Sequence, residues 1–217
     1  MGKMKKPIVV LITLILSCNF IKSQERGHTR ISLVLEPVIS WMKSDYQSLM
    51  KYNNATSKGA LPGYNFGIKI DHFFGDNYAF ATGLTVNTAG GKIGYPPQSE
   101  MMPYEIQTYR LKHIEIPLGL RLRSSDFHRF NIYGRFGLSP QFNIKASDRD
   151  GNTIRSEIRL FDLSYHLGGG VEYSLGGRNA LMAGVIFNNG FVDITKKDGF
   201  EDKTIMNRFT LEFGFIF

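Results

Sequence analysis

The sequence predicts an all-β protein, an eight-stranded antiparallel up-and-down transmembrane β-barrel. Three observations predict this fold. The last nine residues carry an aromatic or aliphatic side chain at every odd position and end on Phe217. Seven earlier segments show the same alternation, and the connections between segments are alternately long and short. An apolar face for lipid and a polar face for the interior are typical of outer-membrane barrels. Taken alone, the last segment would also suit a strand of a soluble β-sandwich.

The first 23 residues are predicted to be a signal peptide that directs export to the outer membrane. Lysines at the start precede an apolar stretch at 8–16 and a more polar stretch up to Ser23. The stretch is too short to cross a bilayer as a helix. Cleavage after Ser23 leaves 24–217 as the outer-membrane β-barrel domain. A competing interpretation takes 15–18 as a lipobox, in which Cys18 is lipidated after cleavage.

Charge and cysteine content narrow the function classes. The formal net charge is +7, but four lysines lie in the predicted signal peptide, which leaves +3 on the mature chain. A charge this small removes the main argument for nucleic-acid binding. Cys18 is the only cysteine, so the mature chain has no disulfide or thiolate metal site. The histidines show no metal-ligand spacing, and we predict no cofactor or metal.

The first four segments alternate from position 31 to position 123. Because successive strand side chains point to opposite faces, one set faces lipid and the other faces the interior. The predicted outward set is Ile31, Leu33, Leu35, Ile39, Trp41; Tyr64, Phe66, Ile68, Ile70; Tyr78, Phe80, Leu84, Val86; Ile114, Ile116, Leu118, Leu120 and Leu122. The predicted inward set is Ser32, Glu36, Ser40; Asn65, Gly67, Lys69, Asp71; Ala79, Ala81, Gly83, Thr85, Asn87; His113, Glu115, Gly119, Arg121 and Arg123.

The last four segments follow the same rule, with one exception. In the seventh segment Leu181, Val185 and Phe187 face one way while Met182 and Ile186 face the other, so its lipid face is ambiguous. The outward sets of the fifth, sixth and eighth are Phe130, Ile132, Phe136, Leu138, Phe142; Phe161, Leu163, Tyr165, Leu167, Val171, Tyr173; and Phe209, Leu211, Phe213, Phe215, Phe217. The eighth set is also the predicted signal for the barrel-insertion machinery.

The connections have the asymmetry of an outer-membrane barrel, with short periplasmic turns and longer outer loops. Short turns are predicted at 75–77, 124–128 and 176–178, and long polar stretches at 43–60, 91–105, 146–157 and 192–204. Aromatic residues at the strand ends predict two interfacial girdles. The outer girdle comprises Tyr46, Tyr52, Tyr95, Tyr104 and Tyr109, and the inner girdle Tyr78, Phe127, Phe130 and Tyr173.

The predicted interior of the barrel is rich in charge. Its members are Glu36, Lys69, Asp71, Glu115, Arg121, Arg135, Asp162, His166, Glu172, Arg208 and Glu212. Buried charges must pair, and eight strands leave little lumen, so we expect a plug of ion pairs to which Arg135 and Glu172 belong. Two alternatives remain. A thin pore or anion site would use Arg121, Arg135 and Arg208, and a lipid-modifying enzyme would use Ser164 and His166.

The stretch Leu111–Arg121, LKHIEIPLGLR, resembles the central strand signature of the PorT-like outer-membrane β-barrel family. Tyr133–Gly137, Leu167–Tyr173, the Ser23–Gln24 junction and Phe217 are also similar to that family. The resemblance covers nearly all of the mature chain and implies the barrel architecture. The family is widespread in bacteria with type IX secretion, and its namesake is an accessory of secretion and gliding.

The combined prediction is a non-enzymatic outer-membrane barrel that has a largely plugged interior and outer loops for recognition. Its expected partners are outer-membrane lipid and the barrel-insertion machinery. An accessory subunit of a type IX secretion or gliding machine, acting on other secretion-system proteins, is the main alternative. A lipid-modifying enzyme is the third.

Overall fold

The computed structural model describes residues 28–45, 56–95, 105–196 and 203–217. The predicted signal peptide with Cys18, and the tyrosines Tyr46, Tyr52 and Tyr104, lie outside these residues. The strands are β1 (Thr29–Asp45), β2 (Thr56–Phe73), β3 (Tyr78–Tyr95), β4 (Glu105–Glu115), β5 (Leu118–Arg123), β6 (Phe130–Ser147), β7 (Phe161–Gly176), β8 (Asn179–Gly190) and β9 (Lys203–Ile216). A short 3-10 helix spans Arg155–Glu157.

The strands form one closed ring in which every pairing is antiparallel. Apart from β4 and β5, each strand pairs with its neighbours in sequence, and the ring closes between β1 and β9, where Leu33 lies opposite Phe215. Because β4 and β5 follow one another along the same path between β3 and β6, they count as one position of the ring. The predicted eight-stranded up-and-down barrel is therefore confirmed. In the described part of the chain, no helix has the length and apolar character needed to cross a membrane.

The break between β4 and β5 falls at Ile116 and Pro117. Proline has no backbone N–H and cannot donate to a neighbouring strand. The Ile116 N–H still donates to the carbonyl of Pro140 on β6, at 3.0 Å. The register then resumes with Leu118 opposite Leu138. The interruption is thus local and leaves the ring closed.

Side-chain exposure alternates along the strands as the sequence predicts. On β1, for example, Leu35 is 63% exposed on the outside, whereas Glu36 is 1% exposed on the inside. The structure also removes the ambiguity of the seventh segment, now β8. Met182 and Ile186 point inward, while Leu181 and Val185 are exposed on the outer surface. The outside of the barrel therefore carries a continuous apolar band.

The strands extend beyond this band on the side of the long connections. The outward apolar positions of β4 and β5 run from Leu122 to Ile114, the nine-residue length that a tilted membrane strand requires. The strand then continues for nine more residues, up to Glu105. Part of the predicted loop stretches 43–60 and 91–105 is therefore strand, because neighbouring strands continue to satisfy the backbone groups there.

The outer extension contains an apolar core inside the barrel. Its members are Met42, Ala89, Ile93, Tyr95, Tyr109, Leu111, Ala146, Ile158, Ile194 and Met206. The placement of Tyr95 and Tyr109 in an outer girdle was wrong. Both side chains point inward, where their hydroxyl oxygens lie 2.9 Å apart, because the odd positions of β3 and β4 face the interior. The predicted inner aromatics Tyr78, Phe127 and Phe130 are exposed.

Candidate functional site

All eleven predicted interior groups are buried inside the barrel. They comprise six carboxylates, four Lys or Arg side chains and His166. Arg30 and Arg123, at the periplasmic end, add two cations that contact the same network. The network therefore holds equal numbers of acidic and Lys or Arg side chains. Such a balance is expected because a buried charge without an opposite partner is strongly destabilising.

The centre of the network is the carboxylate of Glu212, on the last strand. It accepts hydrogen bonds from Lys69 Nζ at 2.7 Å and from the Tyr133 hydroxyl at 2.5 Å. Arg135 Nη1 lies 2.8 Å from the same carboxylate. Lys69 also donates to Glu36 on β1. Glu212 thus links strands that are distant in sequence, and its 0% exposure means that it depends entirely on these partners.

The reach of Tyr133 to Glu212 depends on two glycines. Tyr133, Gly170, Gly184 and Glu212 lie in one row of hydrogen-bonded neighbours across β6, β7, β8 and β9. A Cβ at Gly184 would lie 2.5 Å from the Tyr133 hydroxyl oxygen, and one at Gly170 would lie 2.6 Å from it. The tyrosine therefore lies along the inner wall over positions that have no side chain. These glycines explain how a long aromatic side chain fits inside a narrow barrel.

A second centre forms around Arg121, which is 0% exposed. Its guanidinium lies 2.5 Å from Asp71 on β2 and 2.5 Å from Glu172 on β7. It also lies 4.0 Å from the centre of the Tyr133 ring, a favourable cation–π contact. Arg121 therefore ties together strands from three parts of the ring.

Glu172 binds two further arginines that are not among the eleven predicted interior charges, although Arg123 was predicted to face inward. Arg30 Nη1 lies 2.8 Å from its carboxylate, and Arg123 Nε lies 3.2 Å from it. The alternation of its strand places Arg123 on the inner face, and Arg30 directly precedes the first alternating residue. These two features of the sequence could have identified both arginines as members of the network. Arg135 and Glu172 both belong to the network, but they have different partners, and Arg135 is paired with Glu212.

The third layer lies toward the outer side. Arg208 lies 2.9 Å from Glu115, which also accepts a hydrogen bond from Asn87 at 3.0 Å. His166 Nδ1 lies 2.9 Å from the hydroxyl of Ser139. Asp162 is 2% exposed, and neither of its carboxylate oxygens has a hydrogen-bond partner in the described part of the chain. Of the six carboxylates, Asp162 is therefore the one that forms no ion pair with the described residues.

Ser164 and His166, the candidate catalytic pair, each bond to a different neighbour. The Ser164 hydroxyl accepts a hydrogen bond from Gln141 at 2.9 Å, whereas His166 contacts Ser139. Both residues point into the barrel and are buried. A serine nucleophile needs a base within hydrogen-bond reach, and His166 is instead placed against another serine.

Little free volume remains at the level of these groups. A cavity of about 30 Å³ lies among Glu36, Glu115, His166 and Arg208, which is room for about one water molecule. A larger cavity of about 260 Å³ opens at the periplasmic end, lined in part by Arg30, Arg123 and Arg178. The middle of the barrel is therefore filled far more completely by side chains than its periplasmic end.

The outer mouth is occupied by the apolar core described above. Ile158 follows the 3-10 helix and Ile194 follows β8, so two outer connections contribute side chains to it. The Tyr109 hydroxyl also donates to Glu157 at 3.3 Å. The alternation along a strand identifies which positions point inward. It does not show that the inward side chains are apolar at the outer end of the barrel. Within the described ranges, no group of three or more His, Cys, Asp or Glu side chains is arranged to hold a metal ion.

Comparison with known proteins gives the same architecture. A family model described as outer membrane protein beta-barrel domain matches residues 38–196. Neisserial surface protein A is 15% identical, with a TM-score of 0.53, over 88% of this chain and 98% of that protein. OprG of Pseudomonas aeruginosa is 13% identical, with a TM-score of 0.49, over 90% and 97% of the two chains. The outer membrane protease OmpT of Escherichia coli is 10% identical, with a TM-score of 0.43, over 90% and 99%. No curated protein matches significantly.

Proposed function

Because the chain belongs to the outer membrane protein beta-barrel domain family and is located in the outer membrane, we propose that it is a non-enzymatic barrel, closed to solutes, whose outer loops serve recognition. The observation that carries the proposal is the filling of the lumen. Ion pairs leave about 30 Å³ in the middle of the barrel, and an apolar core occupies the outer mouth. A hydrated ion would have to displace both.

Conductance in a planar lipid bilayer tests the closed interior. The purified full-length chain should show at most small and rare openings. The Glu212→Gln variant should open more often, since Lys69 and Arg135 lose the charge that holds them in the lumen. Large and steady conductance of the unchanged protein would contradict the proposal and make a solute channel the leading function.

The absence of catalysis is part of the proposal and has its own test. Ser139 and His166 form a buried hydroxyl–imidazole pair, yet they border the cavity of about 30 Å³, which is too small for a lipid or peptide. The full chain, incubated with phospholipid vesicles or lipid A, should release no fatty acid. Release that disappears in Ser139→Ala or Ser164→Ala would make the protein a lipid-modifying enzyme.

Assembly by the barrel-insertion machinery is proposed to depend on the last strand. Phe209, Leu211, Phe213 and Phe217 are exposed on its lipid face. Deletion of Phe217 should leave the protein unassembled in the periplasm. The measurements are the outer-membrane yield and the shift in gel mobility on heating. If both remained unchanged, the terminal phenylalanine would have no role in assembly.

A PorT-like accessory role in type IX secretion is the second candidate function. The observation that favours it is the open periplasmic mouth, where Arg30, Arg123 and Arg178 line a cavity of about 260 Å³ that could receive an acidic partner segment. Cross-linking from a reactive group placed at Ser174 in the native host should capture a secretion-machine subunit. Genes for such subunits next to this one would support the role, and an unrelated neighbourhood would favour the simple barrel.

A further inference from the structure

We propose that the outer surface of the barrel carries a binding site for a phosphorylated lipid headgroup, formed by Lys112 and Lys145 with Arg110. The two lysines lie directly opposite one another on the neighbouring strands β4 and β6. Directly opposed residues of an antiparallel pair have their Cβ atoms about 4.5–5.5 Å apart, and like charges in such a pair are destabilising. An anion held between them would turn this repulsion into attraction.

Both lysine side chains face outward. Lys112 alternates with the inward residues Leu111 and His113, so it points away from the lumen. A register shift between Lys112 and His113 leaves Ile144 as an extra residue on β6, and Ile144 and Lys145 are both exposed. The shift therefore brings Lys145 to the outer surface beside Lys112.

The position of the pair along the strand corresponds to the outer edge of the membrane. The next outward residue toward the periplasm is Ile114 on β4, the last apolar position of the nine-residue band. The row containing Lys112 and Lys145 also contains Tyr64, which is 48% exposed, on β2. Aromatic side chains of this kind mark the membrane interface. Two lysines at this height lie at the level of lipid headgroups.

The surrounding charges favour an anion. Arg110 is the next outward residue beyond Lys112, and Lys92 is an outward cation on the adjacent strand β3. None of these four basic side chains forms an ion pair within the described ranges of the chain. The nearby carboxylate of Asp148 is engaged in its own turn, where hydrogen bonds from Asn152 and the backbone lower its pKa. Glu105, Asp148 and Asp150 share a cavity with Lys92 and Arg110, but neither Lys112 nor Lys145 lines it, so the lysine pair has no acidic neighbour in that cavity.

Native mass spectrometry of the full-length barrel in zwitterionic detergent tests the site. The probes are diphosphoryl lipid A, the same lipid without its phosphates, and inorganic phosphate. Diphosphoryl lipid A should remain bound, while the dephosphorylated lipid and inorganic phosphate should not. In the double variant Lys112→Gln/Lys145→Gln the affinity should fall by roughly twenty-five-fold, on the order of fivefold for each basic residue removed.

A matched control removes two exposed lysines elsewhere. Lys43 lies on β1, across the ring from the patch, and Lys196 lies in the connection after β8. The variant Lys43→Gln/Lys196→Gln has the same net charge as the test variant and should bind lipid A as the native protein does. Equal weakening in both variants would indicate general charge attraction and would overturn the proposal.

Thermal unfolding provides a second readout. If Lys145 had only a structural role, the Lys145→Gln substitution would shift the unfolding temperature in the same direction with and without lipid A. Without an anionic lipid, Lys145→Gln should raise the unfolding temperature because it removes a like-charge contact. With diphosphoryl lipid A present, the same variant should unfold at a lower temperature than the native barrel. A shift of the same sign in both conditions, or tight binding of inorganic phosphate in place of the lipid, would refute a lipid headgroup site.

Discussion

The same strands enclose two different interiors. At membrane level the lumen holds ion pairs such as Arg121 with Asp71, and the outer surface is apolar. Toward the outer end the lumen holds the apolar core around Tyr109 and Leu111, and the outer surface carries Lys112 at the edge of the membrane and Arg110 beyond it. The direction in which apolar side chains point reverses along a single strand, because the barrel passes from lipid into water.

The contrast shows which force stabilises each region. In water, burying apolar side chains lowers the free energy, so the outer extension folds around a core as a soluble protein does. In lipid, apolar side chains gain nothing from facing inward, and the interior can hold polar groups provided that they satisfy one another. The inner region should therefore respond most to loss of charge, and the outer region most to loss of apolar volume.

The largest effect should come from Glu212→Gln in the inner region. The change removes the charge that Lys69 and Arg135 share, and breaking a buried pair costs about 3–5 kcal/mol. Urea unfolding from phospholipid vesicles, followed by the fluorescence of Trp41, measures the loss. Asp150→Asn, which removes an exposed loop carboxylate, is the control and should leave the midpoint unchanged. Equal midpoints for the two variants would show that the ion pairs do not stabilise the barrel.

Truncation in the apolar core should act locally. Ile158→Ala should cost about 2–5 kcal/mol of the stability of the outer mouth, through lost burial and the cavity left behind. Trypsin should then cut faster at Arg149 and Arg155, while the urea midpoint of the barrel changes little. Ile106→Ala, at a position 58% exposed, is the control. A loss of the whole barrel on Ile158→Ala would mean that the two regions unfold as one.

A smaller effect is expected for Tyr133→Phe. The variant keeps the ring against Arg121 but loses the hydroxyl that donates to Glu212, and hydrogen bonds to charged groups contribute about 1.5–3 kcal/mol. The same urea experiment measures the change. Tyr165→Phe, on the lipid face, provides the comparison and should have almost no effect. If Tyr133→Phe proved as stable as the native chain, the row of glycines beneath it would need another explanation.

The smallest effect should come from an ion pair on the outer surface. Arg159 lies 3.2 Å from Asp193, but the Arg159 side chain is 48% exposed. Exposed pairs contribute about 0.2–1 kcal/mol and are screened by salt. The stability lost in Arg159→Gln should therefore disappear at high salt, whereas the loss in Glu212→Gln should persist. A salt-independent loss in Arg159→Gln would mean that solvent does not reach this pair.

The sequence predicted the ring of eight strands and the direction of most side chains, because alternation depends only on the two-residue period of a strand. It did not predict the partners of each charge. Arg135 pairs with Glu212 and not with Glu172, since partners depend on how strands shift against one another across the lumen. It also missed the apolar core, because Tyr95 and Tyr109 have the composition expected of an interfacial girdle. Only the continuation of the strands beyond the membrane shows that they point inward.

The position of Glu212 has a consequence for how the barrel forms. Its partner Lys69 lies 143 residues earlier in the chain, and Arg30 and Glu172 are separated by 142 residues. Until β9 meets β1, Lys69 on β2 is far from Glu212 on β9, and Arg30 on β1 is far from Glu172 on β7, so an open sheet in lipid would lack these ion pairs. Partly closed barrels should therefore be scarce. Membrane insertion should be completed in a single cooperative step, in which pairing of the last strand closes the ring and forms the last interior ion pairs at the same time.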